Sequence, residues 1–166
     1  MPTHQFRTHL MDGIPVEVDL TSGKADLDLA VGDLVAKDDT NGYASAVNFT
    51  WDTNLATTQA AFAAALIGVS VDRVQAGDPA HYSVDPDVTR PMINQDGTYS
   101  VYVEAATYSI GQYLGPSANG GGDGLINQCE AVASKTLATF VVQEDKTAST
   151  SDPYVLARLI NTPVKR

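Results

Sequence analysis

The sequence predicts an all-β protein, a small β-barrel or β-sandwich with one short helix and an extended N-terminal arm. Three observations predict it. Short runs of alternating apolar and polar residues recur at intervals of roughly ten residues, clusters of Gly, Asp, Asn and Pro separate them, and a single alanine-rich segment favours helix. No repeat of fixed period stands out, and barrel and sandwich share the same alternation and turn spacing, so both stay open.

The chain has 166 residues, enough for one domain with a real core. It divides into an arm over residues 1–15 and a single β domain over residues 16–166. The arm holds His4, Phe6, Arg7, His9, Leu10 and Met11, a basic and apolar mixture in an otherwise acidic protein. That mixture fits a segment that docks on something; a frayed terminus is the alternative.

From Ile14 to Leu20, IPVEVDL alternates, and ADLDLAV repeats the alternation after the turn signal TSGK, which predicts two short strands. GDLVAKDDTNGYASAV then reads as a hairpin, with Leu34 and Val35 before an Asp-Asp-Thr-Asn-Gly cluster and Tyr43 and Val47 after it. Leu55 to Ala65 is the helical candidate, with Asp52 or Asn54 as its cap and Phe62 and Leu66 one turn apart. LIGVSVDRV, from Leu66 to Val74, returns to β-branched alternation.

Pro79, Pro86 and Pro91 restrict the next passage to short extended pieces. Strand and hairpin signals are strongest in QDGTYSVYVEAATYSIGQYLGP, where Tyr99, Val101 and Val103 share one parity and Asp96-Gly97 stands just ahead. After the loop SANGGGDG, further strands are expected in LINQCEAV, LATFVVQED and PYVLARLI.

Ten basic against twenty acidic residues give a net charge of −10, which repels phosphate backbones and anionic lipid, so neither nucleic acid nor a membrane is expected as partner. No stretch approaches the roughly 20 apolar residues of a spanning helix, and MPTHQFRTHLMDG lacks the apolar core of a signal peptide. Cys129, the single cysteine, excludes an internal disulfide. Its strand-like setting beside Glu130 predicts a buried structural thiol, because reactive thiols need electropositive surroundings.

No catalytic, metal or cofactor constellation is expected. His4 and His9 sit in the arm, and His81 lies in a proline-rich turn without the convergent ligands a metal needs. Asp38 with Asp39, Asp85 with Asp87, and Glu144 with Asp145 could supply acid–base groups or calcium ligands, but at turns and strand ends such acids cap backbone groups. The glycines around Asp123 lack the lysine-serine or lysine-threonine pair and helix of a phosphate loop, which leaves a flexible hairpin loop. Trp51 fits core or inter-subunit packing, with an exposed anchor as the alternative.

Four segments together carry a family resemblance: VGDLVAKDD near Val31, LIGVSVDRVQAGD near Leu66, SIGQYLGP and ATFVVQEDKT. Across residues 25 to 160 they resemble phage capsid decoration proteins, also called cement or head-stabilising proteins. The resemblance implies a compact β domain on the outer capsid surface of a virion, usually a homotrimer at local three-fold positions, with the major capsid protein as partner and no enzymatic activity. No family site residue carries over; His4, Phe6, Arg7, His9, Leu10 and Met11 become the expected capsid contacts because apolar arm residues could bury area at roughly 25 cal/mol per Å². Two other classes compete. A glycan-binding or adhesion module of a virion fibre or spike would use Tyr99, Tyr102, Tyr108 and Tyr113 as an aromatic platform, and a small β-barrel hydrolase would need a deep pocket of convergent His and acidic groups.

Overall fold

In a computed structural model, residues 7–10, 15–17, 28–38, 42–71, 73 and 92–162 are described. Their elements run in chain order as β1 (Arg7–Leu10), β2 (Pro15–Glu17), β3 (Leu34–Asp38), β4 (Gly42–Ser45), α1 (Leu55–Ala65), β5 (Leu66–Ser70), β6 (Met92–Asn94), β7 (Thr98–Tyr102), β8 (Thr107–Tyr108), β9 (Tyr113–Ala118), β10 (Leu125–Val132), β11 (Phe140–Val142), β12 (Lys146–Thr147) and β13 (Tyr154–Leu159). Single 3-10 turns lie at Ala46–Asn48 and Lys135–Leu137.

The strands form a six-stranded antiparallel sheet, β1-β7-β13-β11-β9-β10, a five-stranded antiparallel sheet, β2-β6-β5-β3-β4, and the ribbon β12-β8. The fold is all-β and sandwich-like. The larger sheet curls far enough for one isolated bridge, Val103 to Cys129, but the sheets do not close, so of the two expected architectures the barrel is corrected.

Strand alternation explains the layering. Tyr99, Val101, Phe140, Val142, Val155, Ala157 and Leu159 point inward from the larger sheet and meet Leu34, Ala36, Leu66 and Val69 from the smaller one in a common core. Val35, Ile67 and Ile93 face the other way and pack with Leu29 and Tyr43 in a second cluster, Ile67 and Val69 falling in different clusters because the β3–β5 register shifts at Ile67. In the middle of the smaller sheet β5 is therefore buried on both faces, which is why it reads LIGVS with no polar alternation.

The expected helix is found at its expected bounds. Asn54 caps it by accepting from the Thr57 N–H at 3.0 Å, while Asp52 stays outside the cap. Phe62 packs edge-to-face on Phe49 with centroids 5.0 Å apart. Trp51, half-buried, packs against the main core, as the core reading has it.

Three readings need correction. Asp96-Gly97 does not turn a hairpin: β6 before it and β7 after it belong to different sheets, so it is the step between layers. Gly97, at φ 127°, lies against the buried Tyr99 ring, and the Tyr99 hydroxyl donates to the Asp96 carbonyl at 2.9 Å, fixing that step. In ADLDLAV, the described part contributes only a bridge at Leu29, because the chain turns at Val31-Gly32. SANGGGDG is shorter as a loop than expected, since Ser117 and Ala118 still belong to β9.

Candidate docking surface

Of the arm residues, Arg7, His9 and Leu10 fall on β1, and His4, Phe6 and Met11 lie outside the described residues. The β1 backbone pairs with β7 through Arg7 with Ser100, Thr8 with Tyr99 and Leu10 with Thr98, and the register shifts at His9. β1 is thus an edge strand of the larger sheet among the described residues, and such an edge is a natural template for a partner backbone.

The loops are held by their own side chains. Asp145 accepts from the Ile110 N–H at 2.9 Å, Glu144 from the Leu156 N–H at 2.7 Å, and Asp96 from the Gly97 N–H at 2.8 Å. In the glycine loop, Asn119 Oδ1 accepts from Gly121 at 3.0 Å and Asp123 at 3.2 Å, while its Nδ2 donates to the Asp123 carboxylate at 3.0 Å. Thr50 donates to the buried Asp38 at 3.2 Å. Glu144 and Asp145 hold backbone groups as expected of them, whereas Asp38 is buried at the end of β3 and accepts from a side-chain hydroxyl, not the hydrated backbone cap expected there; Asp39, His81, Asp85 and Asp87 lie outside the described residues.

Around this framework, among the described residues, Val31, Val47, Met92 and Ile110 are the exposed large apolar side chains. Two open grooves share Asn161 and Thr162. One, of about 390 Å³, runs along Ala60, Ala63 and Ala64 of α1, and the other, of about 450 Å³, carries Lys135, Gln143 and Arg158. Asn161 shapes both: at φ 62° it places Nδ2 to donate to the carbonyls of Lys135 at 2.7 Å and Ala138 at 2.8 Å.

The aromatic platform is not assembled. Tyr99 and Tyr108 are core residues whose hydroxyls donate to the carbonyls of Asp96 and Glu104, and burial raises both phenols, Tyr108 to about 12. Tyr102 and Tyr113 are half-buried, Tyr102 against Tyr154 with centroids 5.7 Å apart. Cys129 is fully buried, and burial drives its thiol far above the ordinary range, so it is the structural thiol its strand predicts.

Two buried polar residues escaped sequence reasoning. Gln59, on the inner face of α1, donates Nε2 to the Pro116 carbonyl at 2.7 Å and to Glu130 at 2.9 Å, clamping the helix to β9 and β10. Burial raises the Glu130 carboxyl, the Gln59 bond lowers it and Glu104 raises it further. The visible signal was a lone amide in an alanine-rich helix. Asp33, 4% exposed, is pushed up to about 6 by burial, against the Ala30 N–H that lowers it. Among the described residues, no group of three or more His, Cys, Asp or Glu side chains could hold a metal ion. In comparison with known proteins, no family model matches the chain and no curated protein resembles it significantly.

Proposed function

We propose that this chain is a structural virion protein: it binds the outer surface of a phage capsid as a homo-oligomer, a trimer, and stabilises contacts between major capsid subunits. It works through its surface and catalyses no reaction. The observation that carries the reading is that the loops are preset in shape by their own acidic and amide side chains. A surface ordered before contact loses less entropy on docking, which is the economy a protein that binds by shape requires. The capsid as the surface bound rests on the resemblance of VGDLVAKDD, LIGVSVDRVQAGD, SIGQYLGP and ATFVVQEDKT to decoration proteins.

The arm residues His4, Phe6, Arg7, His9, Leu10 and Met11 are the proposed capsid contacts. Multivalent attachment as a trimer would multiply weak individual contacts. The net charge of −10 disfavours nucleic acid and anionic membranes as partners. The test is light scattering on the purified protein, then pelleting with undecorated heads, with and without residues 1–15. A trimer that pellets, and pellets less without the arm, supports the proposal. A monomer that stays in the supernatant refutes it, and undiminished pelleting of the truncated chain refutes the role of the arm.

A further inference from the structure

The turn Ala30–Asp33, with Gly32 at φ 91°, opens β3 and is closed twice by Asp33. The Asp33 N–H donates to the Ala30 carbonyl at 3.1 Å, and Asp33 Oδ2 accepts from the Ala30 N–H at 2.8 Å. Backbone bonds from Gly32 to the Ser70 carbonyl and from Ser70 to the Asp33 carbonyl lock this turn onto β5. Its free carboxylate oxygen crosses to the other layer: Asn127, on β10 of the larger sheet, donates Nδ2 to Asp33 Oδ1 at 3.1 Å. Among the described residues, Asn127 Oδ1 is buried without a hydrogen-bond partner.

We propose that the Asp33–Asn127 pair is a protonation-sensitive latch between the two sheets, tighter when Asp33 is neutral than when it is charged. As a carboxylate, Asp33 can only accept, carries its charge in a buried position with no paired cation among the described residues, and leaves Asn127 Oδ1 orphaned. A neutral carboxyl removes the buried charge and can either accept from Nδ2 or, with the amide turned over, donate its O–H to Oδ1. The proton comes from solvent.

The charged neighbours do not oppose this. Asp28 before the turn and Arg73 beyond β5 are exposed, Lys37 on β3 is exposed, Asp38 at the end of β3 accepts from Thr50, and Glu130 on β10 accepts from Gln59. What moves Asp33 is burial, opposed by the Ala30 N–H, to about 6 from an ordinary 3.8. The folded chain therefore holds a proton that the unfolded chain has released between those values. The extra stability is full below the unfolded value, falls as pH rises through about 6, and is absent above.

Three readouts test the latch on the full chain. Carbon-detected NMR of the Asp33 carboxyl should give a midpoint near 6, and a midpoint in the ordinary carboxylate range overturns the proposal. Urea midpoints of the wild type should fall relative to those of Asp33→Asn between pH 4 and pH 7, and parallel curves overturn it. If that variant does not fold, the NMR midpoint and amide exchange of the wild type decide. After correction for intrinsic rates, protection at β10 and at Ser70 should fall together as Asp33 ionises. Protection that ignores the titration would make Asp33 an isolated buried acid and sink the link between sheets.

Discussion

Single residues fix how the layers meet, and two of them make separable predictions. Replacing Gln59 by Leu keeps the volume but removes donors to the Pro116 carbonyl and to Glu130, so a loss of about 2 kcal/mol in urea unfolding at neutral pH is expected. Because the Gln59 bond lowers the Glu130 carboxyl, the same variant should raise the Glu130 midpoint. The loss should then shrink as pH falls and Glu130 becomes neutral, whereas a loss constant with pH would assign it to packing alone. Cys129, fully buried with its thiol raised, should react with a thiol reagent at pH 8 at least about 10³-fold more slowly than in the unfolded chain. This burial was legible, because LINQCEAV gives Cys129 the parity of Leu125. The Asp33–Asn127 contact was not, since its partners lie 94 positions apart and nothing local to VGDLV marks Asp33 as different from other turn aspartates.

At the scale of elements, local chemistry was the most readable. Asn54 ahead of LATTQAAFAAA set the start of α1, and Asn54→Ala should cost about 1 kcal/mol by leaving the Thr57 N–H uncapped. The hairpin of β3 and β4 followed from its turn cluster and flanking apolar parity. Pairing beyond neighbours was not readable: the glycine of LIGVS looks like a weak point in a strand, yet it is where a neighbouring backbone leaves no room for a side chain. A Cβ on Gly68 would collide with the Asn94 carbonyl across the β5–β6 pair, so Gly68→Ala should destabilise by about 3 kcal/mol, measured by thermal or urea unfolding. An unchanged midpoint would mean that β5 and β6 are not in this register. The inner face of α1 was also hidden, because Thr58 and Gln59 are buried beside Phe62 and Ala63, so polar and apolar residues share it.

For the whole molecule, sequence periodicity carried the class, all-β with one short helix, while the separation into two sheets emerged only from the buried step at Asp96-Gly97. The result is a sandwich whose loops are braced by Asp96, Asn119, Glu144 and Asp145 and whose larger sheet ends in β1, the described part of the proposed arm. The proposed trimer would present three such edges, which suits a surface with matching three-fold symmetry. The most direct measurement is the temperature at which heads release DNA, followed with a dye, for heads built from the capsid protein encoded in the same genome, with and without saturating amounts of this chain. The account predicts that the chain binds these heads and raises the release temperature. Heads that leave it unbound, or that release DNA at the same temperature when fully decorated, would contradict it.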